Sequence, residues 1–146
     1  MIEITSSKSF KGFCYVNREL IASINQRVLV FVGFDKEDSS HELESLADKL
    51  LNYKIFNDKE GRVSLSLHET QYEILIVPQV TLSVGTNKGT KPSFSRAAKP
   101  EVGGQLFREL QILLENKHTK ISSGKFGANM SVSLVNEGPI TFWFEL

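Results

Sequence analysis

The run Val28-Leu29-Val30-Phe31-Val32, ended by Gly33, constrains this chain more than any other feature. It is continuously apolar instead of alternating, which suits a strand buried on both faces. Glu73 to Val77 rises into a second apolar strand that meets Pro78. A proline cannot donate a ladder hydrogen bond, so the following Gln79-Val80-Thr81-Leu82 falls at a sheet edge, bulge or strand end, where backbone N–H groups stay free. A helix is predicted between the two strands. Ser39 stands three residues before Glu42, the capping-box spacing, and Leu43, Leu46, Ala47, Leu50 and Leu51 form one apolar stripe.

Further elements follow from local pattern. Lys11 to Val16, the turn Asn17-Arg18-Glu19 and Leu20 to Ile24 read as a hairpin. Asn57 to Gly61 is a polar turn between short strands. A second helix is predicted to start at Pro100, with Val102, Leu106, Phe107, Leu110, Leu113 and Leu114 toward the core, and with Gly103-Gly104 marking close packing or an irregularity. Met130, Val132 and Leu134 alternate with serines as a half-buried strand; after the turn Asn136-Glu137-Gly138-Pro139 the chain closes with Ile140 to Phe144. Many strands with two helices separated in sequence point to an α+β fold, a curved β-sheet or open barrel-like core covered by two helices.

With 146 residues, 40% apolar, one core is expected, spanning 1–146 as a single domain. Cys14 is the sole cysteine and reads as a small strand residue. The N-terminus lacks a secretory pattern and no apolar run is long enough to span a bilayer, so a cytoplasmic protein with no membrane partner is expected. Seventeen basic and 17 acidic residues cancel, yet Thr86 to Pro100 holds Lys88, Lys91, Arg96 and Lys99 with no acid and one aromatic, Phe94. That stretch is either a solvated loop or a phosphate contact. His41, His68 and His118 are widely spaced and form no metal-ligand pattern, and neither a GxSxG elbow nor a phosphate-cradling loop occurs. No metal and no cofactor is expected.

Two segments break local rules: Pro78-Gln79-Val80-Thr81-Leu82 and Asn136-Glu137-Gly138-Pro139-Ile140-Thr141. Each alone is read first as an edge bulge or tight turn. Together they resemble the two signature motifs of the D-aminoacyl-tRNA deacylases, Ser-Gln-Phe-Thr-Leu and Asn-x-Gly-Pro-x-Thr. Arg27 to Phe34, Asp48 to Phe56, Lys91 to Ala98 and Gly124 to Met130 are similar to family segments in the same order, so the likeness covers roughly residues 10 to 146.

The resemblance implies a metal-independent homodimer that hydrolyses the ester of a D-amino acid, or in some contexts glycine, on the terminal adenosine of tRNA. It implies that Gly138 and Pro139 of one subunit reach into the other's site, where backbone carbonyls meet the amino group and exclude an L side chain. Gln79 and the N–H groups around Val80 and Thr81 are then the candidate oxyanion donors. Chemistry runs through Thr81 as nucleophile or, ranked first, through the substrate's own ribose 2′-hydroxyl. Pro78, Asn136, Thr141 and Phe94 are candidate substrate contacts, and Lys88, Lys91 and Arg96 candidate tRNA contacts. Pro78 and Val80 depart from the family's Ser and Phe, and Ser6-Ser7-Lys8 stands where the family has Gln-Arg-Val, whose Arg helps hold the Gly-Pro motif. The rival readings are a non-catalytic dimeric nucleic-acid-binding module on the same fold and an editing deacylase of relaxed chirality.

Overall fold

A computed structural model describes residues 2–7, 12–24, 27–87, 89–136 and 140–145. Among these, ten strands, three α-helices and one 3₁₀ turn occur. The apolar run becomes β4 (Arg27–Val32) and the second apolar strand β7 (Glu73–Pro78). They pair in parallel at the centre of a five-stranded sheet of order β10-β1-β4-β7-β8, with β1 at Ile2–Ser7, β8 at Ile121–Ser123 and β10 at Ile140–Phe144. Parallel neighbours need a crossover. The one from β4 to β7 carries α1 (Ser40–Asn52), the one from β7 to β8 carries α3 (Pro100–Lys117), and these two helices pack on each other.

The central strands are buried on both faces, as their continuous apolarity requires. Val28, Val30 and Val32 of β4 with Ile74 and Ile76 of β7 pack against Leu46 and Leu50 of α1 and Leu110 and Leu114 of α3. The alternate residues Leu29, Leu75 and Val77 face the other way, onto Cys14, Ala22, Met130 and Val132 of a three-stranded sheet. That sheet has the order β3-β2-β9, formed by β2 (Gly12–Val16), β3 (Glu19–Ile24) and β9 (Met130–Ser133). The α+β class expected from the sequence holds, with the strands distributed over separate open sheets.

Local signals behaved as their chemistry demands. The Ser39–Glu42 capping box opens α1, and Pro100 takes the first turn of α3, where its missing N–H costs nothing. Asn17 (φ 51°) and Arg18 (φ 67°) form the two-residue left-handed turn of the β2–β3 hairpin. Cys14 is fully buried, and burial pushes its thiol pKa up, as befits a packing residue. Three elements escaped the sequence reading: β1, β8 and a single-turn α2 (Leu67–Thr70). The last has its own capping box, Ser66 with Glu69, whose carboxyl is held down at about 2 by Lys54 and Ser66.

Val102 corrects one expectation. It is 43% exposed and not part of the core. The close contact is taken instead by the next two positions, where a Cβ on Gly103 would lie 3.1 Å from Phe126 and one on Gly104 3.3 Å.

Candidate active site

The sheet ends where the first rule-breaking segment begins. Pro78 closes β7, Gln79 donates its backbone N–H to the carbonyl of Val32 (2.7 Å), and Val80–Ser83 turn into a 3₁₀ helix. Leu82 and Val84 donate back to the carbonyls of Gln79 and Thr81, both at 3.2 Å. The N–H groups of Val80 and Thr81 open the turn, and a helix's first N–H groups have no acceptor inside it. A proline that ends a strand therefore leaves two aligned donors at the sheet's end.

The close approach behind this turn depends on Gly33. A Cβ there would lie 2.8 Å from the carbonyl oxygen of Gln79 and 2.9 Å from Leu82 Cβ, closer than either permits. The glycine that ends the apolar run thus lets the turn sit against β4.

In front of the turn lies a cavity of about 450 Å³. Pro78, Gln79 and Val80 form one wall, Ala98 and Pro100 at the start of α3 a second, and Phe126, Ala128, Asn129 and Met130 a third. Among the described residues no charged side chain lines it, and Gln79 and Asn129 supply its side-chain amides. Phe126 reaches the cavity by packing over Gly103 and Gly104 and beside Phe107, and Met130 by packing on Gly124. These third-wall residues were not among the sites singled out from sequence. Their only signal was the Gly124–Met130 string, which carries no recognisable chemistry.

Thr81 does not line the cavity. Its hydroxyl accepts from the Gln79 side-chain amide, and no His, Asp, Glu or Lys side chain bonds to it among the described residues. A threonine nucleophile requires a base at this position. The observed bond instead fixes the direction of the Gln79 amide.

The second segment is elsewhere. Asn136 donates its amide to Thr141 Oγ1 (3.2 Å), tying together the two flanks of residues 137–139. Glu137, Gly138 and Pro139 themselves, like Lys88, lie outside the described residues. Register locates the flank: Ile140 pairs with Ser6, Ser6 with Val28, and Val28 with Ile74, the beginning of β7, whereas the cavity opens at its end, beside Pro78. Four residues of strand and three strand spacings separate them, about 20 Å. Within one chain the two motifs stand at opposite ends of the sheet. Ser6, in the segment that replaces Gln-Arg-Val, is the immediate strand neighbour of Ile140.

The 86–100 stretch folds over the first motif. Gly85 and Ser93 exchange both backbone hydrogen bonds (2.8 and 3.0 Å), so Lys91 lies on an exposed excursion. Phe94 is 51% exposed and outside the cavity wall. Arg96 is tied to Asp35 at 2.6 Å and to Glu145 at 3.4 Å. Burial works to raise the Asp35 carboxyl, but the Ser83 hydroxyl and the Arg96 guanidinium outweigh it and hold the pKa below the usual carboxylate range. No helix is long and apolar enough to cross a membrane, and no group of His, Cys, Asp or Glu able to hold a metal occurs among the described residues.

Comparison with known proteins gives a consistent answer. The chain is 42% identical over 131 residues to a D-aminoacyl-tRNA deacylase of Francisella tularensis subsp. novicida, covering 90% of each chain. It is 43% identical over 127 residues to one of Legionella pneumophila, covering 87% of this chain and 88% of that one. Among solved structures it is similar to one described as c-Myc DNA Unwinding Element Binding Protein (TM-score 0.92, 34% identity, 100% and 99% covered). A probable eukaryotic D-amino acid tRNA deacylase shares the fold, with TM-score 0.85 at 21% identity and 99% of each chain covered. The family model described as D-Tyr-tRNA(Tyr) deacylase matches residues 8–145, and with both motifs in place on this scaffold the chain belongs to that family.

Proposed function

We propose that this chain hydrolyses the ester joining a D-amino acid to the terminal adenosine of tRNA, releasing both, as a single-domain homodimer acting in the cytoplasm. The observation that carries this reading is a cavity lined by no charged side chain among the described residues, with Gln79 and Val80, at the start of the 3₁₀ turn, on its wall. An ester carbonyl seated there gains donors where negative charge develops, and one such donor is worth ~10²–10³ in rate. With no base on Thr81, proton movement falls to water and the substrate's neighbouring 2′-hydroxyl, held close by the cavity.

Chirality follows from what the first motif lacks. Nothing in the cavity wall is shaped to one side chain, so selection must test the Cα itself, with a backbone surface that an L side chain would strike. Gly138 and Pro139 are assigned this role, contributed by a second copy, because Ile140, the first described residue after them, lies about 20 Å from the cavity of its own chain. Exposed apolar groups near the two motifs, Val80, Val135 and Trp143, favour such coverage. Pro78 and Thr141 are assigned to the substrate beside the two motifs, and the exposed Phe94 and Lys91, with Lys88, are assigned to the acceptor stem.

The test is complementation. A Gln79→Ala chain and a Gly138→Leu chain, each expected to be nearly inactive on D-Tyr-tRNA with chelator present, should regain activity when refolded together, because a mixed dimer holds one intact composite site. Failure of the mixture to recover would place both motifs' work within one chain. Parallel assays on L-Tyr-tRNA and Gly-tRNA report whether Pro78 and Val80 have relaxed selection. The similarity to the c-Myc DNA Unwinding Element Binding Protein favours a second reading, nucleic-acid binding without turnover; tRNA retention with no ester loss would select it.

A further inference from the structure

Three segments distant in sequence converge on Asp35. The Arg96 guanidinium grips Asp35 Oδ2 through Nη2 (2.6 Å) and Nε (3.2 Å). The backbones beside them are stitched as well: Lys36 N–H donates to the Arg96 carbonyl (2.7 Å), and Ala98 N–H to the Phe34 carbonyl (2.9 Å). On its other side the carboxyl faces the 3₁₀ turn. Asp35 Oδ1 and Ser83 Oγ are both buried and neither has a hydrogen-bond partner among the described residues, while the nearby Ser83 hydroxyl helps hold the Asp35 pKa down. Gly33, two residues earlier, already lies against Gln79 and Leu82 of that turn.

We propose that Asp35 is a positioning residue of the deacylase: it ties the turn that carries Gln79 to the segment that ends in Ala98, and so fixes the spacing of two walls of the ester cavity. Gln79 and Val80 lie on one of these walls and Ala98 on the other. A carboxylate suits the task because Oδ2 accepts from the Arg96 fork while Oδ1 stays buried and open to the Ser83 hydroxyl, in a site where its side chain is only 19% exposed. Arg96 acquires a different role from the phosphate contact its charge suggests. Its fork is occupied by Asp35 and Glu145, so it holds the cavity and does not bind tRNA.

This rests on the reading of the 79–81 turn as the ester-binding side, and Gln79→Ala serves as the reference. Single-turnover deacylation of D-Tyr-tRNA is measured for Asp35→Asn, Arg96→Gln and Ser83→Ala, with melting temperature and the salt dependence of tRNA binding. The rate should fall about 10–100-fold in all three, including Ser83→Ala, whose shape is conserved and whose melting temperature should stay near the parent's. Arg96→Gln should leave the salt slope of binding unchanged. A lowered melting temperature with an unchanged rate in the folded fraction would make the cluster purely structural and overturn the proposal. A flattened salt slope with unchanged rate in Arg96→Gln would return that residue to the phosphate. An unchanged rate in Gln79→Ala would remove the ester-binding turn and this proposal together, whereas loss in Gln79→Ala alone overturns only the role of Asp35.

Discussion

The two motifs are built in opposite ways. The first hangs from β7, whose residues Ile74 to Val77 are buried on both faces, and its turn is braced by Gly33 and by the Val32 carbonyl. The second runs into β10, an edge strand that buries Phe144 against Tyr53 and Lys49 but leaves Trp143 in solvent, and among the described residues it is held by pairing with β1 on one side only and by one amide-to-hydroxyl bond. Donors that must meet a developing charge need an over-determined frame, since reorganising them during reaction would cost what they contribute. A surface that need only block one side chain can be delivered from an edge, provided a partner receives it.

Substitutions put this contrast to the test. Leu75→Ala, at a position sealed between both sheets, should cost about 2–5 kcal/mol of stability in chemical denaturation while sparing the rate of the folded fraction. Gln79→Ala should do the reverse, lowering single-turnover hydrolysis ~10²–10³-fold with no change in melting temperature. Equal damage to both properties in either variant would mean that frame and chemistry are not separable. Gly33→Ala lies between them: its Cβ collides with the turn at 2.8 Å, so about 1–3 kcal/mol of destabilisation should accompany a rate loss. On the edge side, Asn136→Ala should cost only the net value of one exposed hydrogen bond, about 0.5–1.5 kcal/mol, read as a small drop in the unfolding midpoint together with a several-fold loss on the D-ester. The smallest effect is expected from charge reversal at Lys91 with Lys88, which should weaken tRNA binding and flatten its salt dependence by about one unit of slope for each phosphate no longer neutralised. Unchanged affinity in that double variant would leave the basic stretch as a solvated loop.

Much of the fold was legible because its signals are local. The Ser39–Glu42 capping box, Pro100 at the start of α3, the turn at Asn17-Arg18-Glu19 and the unbroken apolarity of β4 and β7 each act within a few residues, where sterics and hydrogen-bond satisfaction admit few solutions. β8 was missed because three residues carry too little pattern, and Val102 was misplaced because its burial depended on Phe126 reaching across to two glycines. The same boundary runs through the site. Residues 78–82 and 136–141 announce themselves by proline, glycine and amides in places where strands should run, so residue types alone were enough to single out the segments assigned to the chemistry. The assembled fold was needed to show that Asp35 meets the Arg96 fork, that Phe126 and Met130 supply a third cavity wall, and that the cavity and Ile140 stand at opposite ends of one sheet. Those facts depend on strand order and register, which are set by burial summed over the whole core and leave no mark on any short stretch of sequence.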